Sequence, residues 1–153
     1  MKQPGRRRRA LWVRALLSTP LALLVAAQLV PVERSNPPVR SEIPAPAAAL
    51  AVLRAACYDC HSNETRWPWY SRVAPISWLV ARDVSWGRDA VNYSEWDRYA
   101  PGEQQELIEL TLAEIDSGRM PLAYYLPLHP EARVARAERD AIESWIEGLE
   151  RER

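Results

Sequence analysis

The pentapeptide Cys57-Tyr58-Asp59-Cys60-His61 constrains this chain more than any other feature, because it holds both cysteines and one of only two histidines. Two thiols three positions apart fall on one side of a helical turn, and the imidazole that follows projects from the same side. Covalent attachment of haem needs that spacing. Each thiol can add to one vinyl group on the haem edge while His61 reaches the iron as proximal ligand. Other chemistries draw on the same residues. A structural zinc site would need Cys57, Cys60, His61 and His129, without a second closely spaced ligand pair. A thioredoxin-like redox pair would need a βαβ setting, and a plain disulfide would join the two thiols to each other.

Composition narrows the rest. With 48% hydrophobic residues, seven Trp and no repeating period, the chain is neither disordered, collagenous nor a coiled coil. Its zero net charge is an average of two unlike parts. The first 40 residues hold eight Lys or Arg against Glu33 alone, leaving twelve Arg against nineteen carboxylates, about −7, from residue 41 onward. An acidic globular part argues against a nucleic-acid partner. Lys2, Arg6 to Arg9 and Arg14 precede eighteen uncharged residues, Ala15 to Val32, which as a helix would extend about 27 Å. Residues 1–32 therefore read as an export signal or membrane anchor with its amino end in the cytoplasm. The folded part would then lie in the periplasm or outside, tethered to the cytoplasmic membrane, with cleavage after Ala27 as the alternative. Residues 33–46, with Pro37, Pro38, Pro44 and Pro46, read as a stiff extended linker.

From residue 47 to 153 every periodic segment is helical. Leu50, Leu53 and Cys57 share a face between Ala47 and about Cys60. Pro75 opens a second helix with Ile76, Leu79, Val80, Val84 and Trp86 in register until Gly87. A third runs from Pro101 to Ser117-Gly118 with Leu107, Ile108, Thr111, Leu112 and Ile115 on one side. A fourth, from about residue 135 to 150, aligns Ala141, Ile142, Trp145, Ile146 and Leu149. No stretch alternates as a strand does, so the fold class is all-α.

The wider pattern resembles the bacterial haem-binding domain family over about residues 30 to 150. It includes Cys57 to Ser71, Val73-Ala-Pro-Ile-Ser-Trp-Leu-Val, Asp83-Val, Gly87-Arg, Ser117-Gly-Arg-Met-Pro and Leu128-His-Pro-Glu-Ala-Arg. The resemblance implies a short, membrane-anchored, cytochrome c-like protein carrying one covalent haem c. Met120, in Gly118-Arg119-Met120-Pro121, looks like the Met-Pro ligand loop of monohaem cytochromes c, which would make His61 and Met120 the iron ligands. A neutral thioether favours ferrous iron and raises the potential. His129 is the rival sixth ligand, and an open position is the third possibility. By the same resemblance Pro75 would offer the carbonyl that orients His61. Trp67, Trp69, Tyr70, Trp78, Trp86 and Trp96 form an aromatic set able to wall a porphyrin, and Arg66 and Arg72 are candidates for its propionates.

These readings converge on an exported monohaem electron carrier exchanging electrons with redox proteins of the respiratory or periplasmic chain. Its binding residues would be Cys57, Cys60, His61 and Met120, with no catalytic residue. A haem-based sensor or small peroxidase-like enzyme with an open distal face is the alternative, and a scaffold stapled by its haem is another.

Overall fold

The structure is a computed structural model that describes residues 4–151. Among the described residues six α-helices follow in order: α1 (Pro4–Ala27), α2 (Ala47–Ala56), α3 (Tyr58–His61), α4 (Ile76–Ala90), α5 (Pro101–Asp116) and α6 (Arg136–Arg151). There is no strand among the described residues, only an isolated bridge between Ser41 and Glu95. The all-helical expectation therefore holds. The described residues fall into two compact units: residues up to Arg34 with Pro68–Arg82, and Ser35–Trp67 with Asp83 onward.

In the first unit α1 carries Pro20 in its interior and leaves Leu16, Leu21, Leu23, Leu24 and Val25 exposed. The helix stops at Ala27, so of the uncharged run only Ala15–Ala27 is helical, about 20 Å of rise. No helix among the described residues is long and apolar enough to cross a membrane, and a helical span over residues 1–32 is unsupported. Beyond α1, the Gln28 side chain donates to the Ala74 carbonyl (3.2 Å) and accepts the Ala74 N–H (3.0 Å), while Arg34 donates to the Ser71 carbonyl (3.1 Å). These bonds hold residues 28–34 against the turn at Trp69–Arg72 and the start of α4.

The second unit packs α2 on α6 and α6 on α5. Its core is Ile43, Leu53, Tyr58, Tyr93, Trp96, Ile108, Ile142 and Trp145, with Ile142 and Leu53 at 0% and 1% exposure. Burying an aliphatic side chain to that degree contributes about 1.5–3 kcal/mol. The stripes read from the sequence on α5 and α6 face this core, with Leu107, Leu112, Ile115, Ile146 and Leu149 packed at its margin. On α2 the buried face is Ala49, Val52 and Leu53, one step round from the expected Leu50-Leu53-Cys57 line. α4 runs on through Gly87 to Ala90, and only Val84 of its expected stripe is buried; Ile76 and Trp86 are exposed. α5 ends where Gly118 takes φ 68°, a left-handed conformation that suits glycine, and the Gly118 amide donates to the Ile115 carbonyl.

The Pro-rich stretch is not the free tether its composition suggests. Arg40 and Ser41 donate to the Ser94 carbonyl, Ile43 donates to Tyr93, and Trp96 donates back to Ser41. Extended backbone with few donors still pairs along one edge, and Ile43 at 2% exposure then anchors it in the core. Beneath it lies a buried polar cluster: Asn63 accepts from Asn92 Nδ2 (2.9 Å) and donates to the Pro38 carbonyl (3.1 Å), while its backbone N–H meets Ser94 Oγ (3.0 Å). Among the described residues no buried side-chain polar atom lacks a partner.

Candidate functional site

Cys57 ends α2 with its N–H on the Leu53 carbonyl (2.8 Å), and the chain then makes a single new turn, α3, in which Cys60 and His61 both donate to the Cys57 carbonyl (3.1 and 2.8 Å). This break at Cys57 gathers both thiols and the imidazole on one turn. The turn is pinned from two sides. The Tyr93 N–H donates to the His61 carbonyl (2.8 Å), and Gly87 of α4 lies so close that a Cβ there would stand 2.5 Å from the Cys60 oxygen. Only glycine lets α4 approach the Cys60 backbone this closely.

His61 Nδ1 faces the Val91 carbonyl at 3.3 Å. A carbonyl accepts only, so Nδ1 carries the proton and Nε2 keeps the lone pair a metal requires. The orienting carbonyl thus comes from Val91, just past the end of α4, where the resemblance implied Pro75. Burial lowers the imidazole below its ordinary pKa, with hydrogen bonds to Val91 and Gly87 opposing it. The ring is neutral at physiological pH, the form that binds iron.

Both cysteines are free thiols, which removes the plain disulfide. Burial pushes each up to about 12, and the Asp59 and Asp83 carboxylates add to the effect at Cys60. In the folded chain they are protonated and poorly nucleophilic. No group of three or more His, Cys, Asp or Glu among the described residues is arranged to hold a metal. His129 instead stacks on Tyr125 (3.9 Å between centroids, 6° between planes) and faces Glu131 at 3.2 Å, which leaves the four-ligand zinc reading without support. The absence of strands among the described residues likewise removes the βαβ frame of a thioredoxin-like pair.

Met120 follows α5 and is half-buried, its N–H on the Glu114 carbonyl at 3.2 Å. Arg66 does not stand free for a propionate: Nε and Nη2 grip the two oxygens of Asp59 at 3.1 Å each. Arg72 is exposed. The aromatic set divides as well. Trp96 is in the core with Tyr93 and Tyr99, whereas Trp69 and Trp86 are 77% and 62% exposed. Asp59, Val91 and Tyr125 belong to the site without having been read as site residues, and Gly87 was read only as a helix end and as part of the wider resemblance. Asp59 sits inside the pentapeptide and Gly87 interrupts a helical pattern, so both left a signal; Val91 and Tyr125 act through the tertiary fold and left none.

The donor set suits haem: two unbridged thiols and an imidazole with a fixed tautomer share one turn, which a glycine holds against α4. The fold and this donor set together point to a small all-helical haem-binding protein. The family model described as "Haem-binding domain" matches residues 22–148, and the chain belongs to that family. Haem is accordingly its cofactor. No curated protein and no solved structure matches the chain.

Proposed function

We propose that this protein is a monohaem c-type cytochrome that carries single electrons outside the cytoplasm. The observation that carries the reading is the turn at Cys57–His61, in which Cys57 and Cys60 would tether the haem and His61 Nε2 would hold its iron. When bound, haem would supply one-electron chemistry. The chain's part is to keep the ligands in place through each cycle. The Val91 carbonyl fixes the His61 ring, and the packing of α4 on the Cys60 backbone fixes the turn. Met120 is the sixth ligand in this reading. The engagement of His129 with Tyr125 and Glu131 supports it over the imidazole rival.

In this reading a haem-ligation apparatus outside the cytoplasm would join the haem to Cys57 and Cys60. The basic start of the chain and the exposed leucines of α1 support export, with residues 1–32 as signal or anchor in the cytoplasmic membrane. Exposed carboxylates such as Glu106, Glu109 and Glu147 on α5 and α6 suit a redox partner with a basic face.

The test is the absorption spectrum of the denatured, reduced protein in pyridine, run beside a Cys57→Ala, Cys60→Ala double variant. Haem that resists acid-acetone in the wild type and not in the variant supports covalent attachment; haem stripped equally from both refutes it. Carbon monoxide then separates a closed His-Met iron, which resists it, from the open site of a sensor or peroxidase.

A further inference from the structure

The carboxylate between the two cysteines is not a solvated surface group. Asp59 is 9% exposed and accepts four hydrogen bonds: from the Arg66 backbone N–H (3.0 Å), Arg66 Nε and Nη2 (3.1 Å each), and the Tyr125 hydroxyl (2.8 Å). Three of these are local and hold the Asp59 carboxylate in a fixed orientation. The fourth crosses 66 residues to the segment that follows Met120. The adjacent Tyr124 makes a matching bond, its hydroxyl on Asp83 Oδ2 of α4 at 2.7 Å. Two neighbouring phenols therefore fasten this segment to two carboxylates, one on the Cys57–His61 turn and one on α4.

We infer that Asp59 and Tyr125, with Tyr124 and Asp83 beside them, form a clasp that positions the Met120 segment relative to the Cys57–His61 turn. They are positioning residues for the sixth ligand. This inference rests on Met120 ligation as proposed above. A methionine on a turn-rich segment binds iron weakly by itself, and its bound fraction depends on how far the segment is already held. Hydrogen bonds from a neutral donor to a carboxylate are among the stronger ones, and loss of one shifts such an equilibrium by about tenfold or more.

The experiment uses the full chain loaded with haem, as wild type, Tyr125→Phe and Tyr124→Phe. Phenylalanine keeps the ring on His129 and removes only the hydroxyl. In Tyr125→Phe the ferric sulfur-to-iron charge-transfer band weakens and carbon monoxide binding to the ferrous form rises about tenfold. Trypsin cleavage between Arg119 and Met120, read by mass spectrometry on loaded and haem-free chain alike, accelerates. Tyr124→Phe moves the same readouts in the same direction. If Tyr125→Phe matches wild type in band, carbon monoxide binding and cleavage rate, the clasp is refuted while the electron-carrier reading stands. If wild type itself lacks the sulfur band, Met120 ligation is refuted and the positioning role goes with it. A Tyr125→Phe chain that fails to fold transfers the decision to Tyr124→Phe, where unchanged readouts refute the clasp equally.

Discussion

Replacing Gly87 by Ala tests the packing on which the site depends. Two effects oppose each other. Alanine is a better helix former than glycine by about 1 kcal/mol, and Gly87 lies inside α4. Against this, the new Cβ would meet the Cys60 carbonyl oxygen at 2.5 Å, its carbon at 2.9 Å and its Cβ at 3.0 Å. Those atoms belong to the α3 backbone and the base of a side chain, so no rotamer change relieves them. Either α4 or the Cys57–His61 turn has to move. Overpacking of a close interior contact costs about 1–3 kcal/mol, and a backbone-to-backbone clash lies at the upper end. The net loss is about 2 kcal/mol, or roughly 8 °C in Tm for a unit of about 100 residues. Gly148 in α6 is the control, since a Cβ there meets nothing within 4 Å. Gly148→Ala should therefore leave stability unchanged or raise it by up to about 1 kcal/mol. The assay is urea and thermal unfolding of the haem-loaded full chain, with haem content per chain measured in parallel. A Gly87→Ala protein as stable and as fully loaded as Gly148→Ala would refute the close approach and the part it plays in fixing the turn.

Other expectations concern separate parts of the fold. Asn63→Ala removes the acceptor of buried Asn92 Nδ2 and the donor to Pro38, and should destabilise by about 1–3 kcal/mol in urea unfolding; a loss within experimental error would show the cluster to be dispensable. In folded chain made without haem, thiols raised to about 12 should alkylate with iodoacetamide about a thousandfold more slowly at neutral pH than an ordinary cysteine, and modification at the rate of the urea-unfolded chain would contradict their burial. Asp116, held below the usual carboxylate range by the Arg139 guanidinium, contributes stability above its unfolded pKa that is lost as pH falls through its lower folded value. The Tm difference between wild type and Arg139→Gln should accordingly narrow below about pH 4 and in high salt. A gap constant from pH 7 to pH 2 would rule out that ion pair as the source.

Whatever is confined to a few adjacent residues could be read from the sequence. The pentapeptide pointed to haem, the cofactor of the family to which the chain belongs, because the spacing of two thiols and an imidazole on one turn is a local property. The stripes of α5 and α6 specified their buried faces because a 3.6-residue period is local too. Tertiary structure decided whatever depends on segments distant along the chain. It took the Pro-rich stretch out of solvent, because Ile43 finds a core and residues 40–43 find partners at Tyr93 and Ser94. It gave His61 the Val91 carbonyl, brought the Tyr125 hydroxyl to Asp59, and held Gln28, just beyond the end of α1, on Ala74. Each of these outcomes turns on which backbone or side-chain group meets another across a packed interface, and periodicity along one segment contains no record of that meeting.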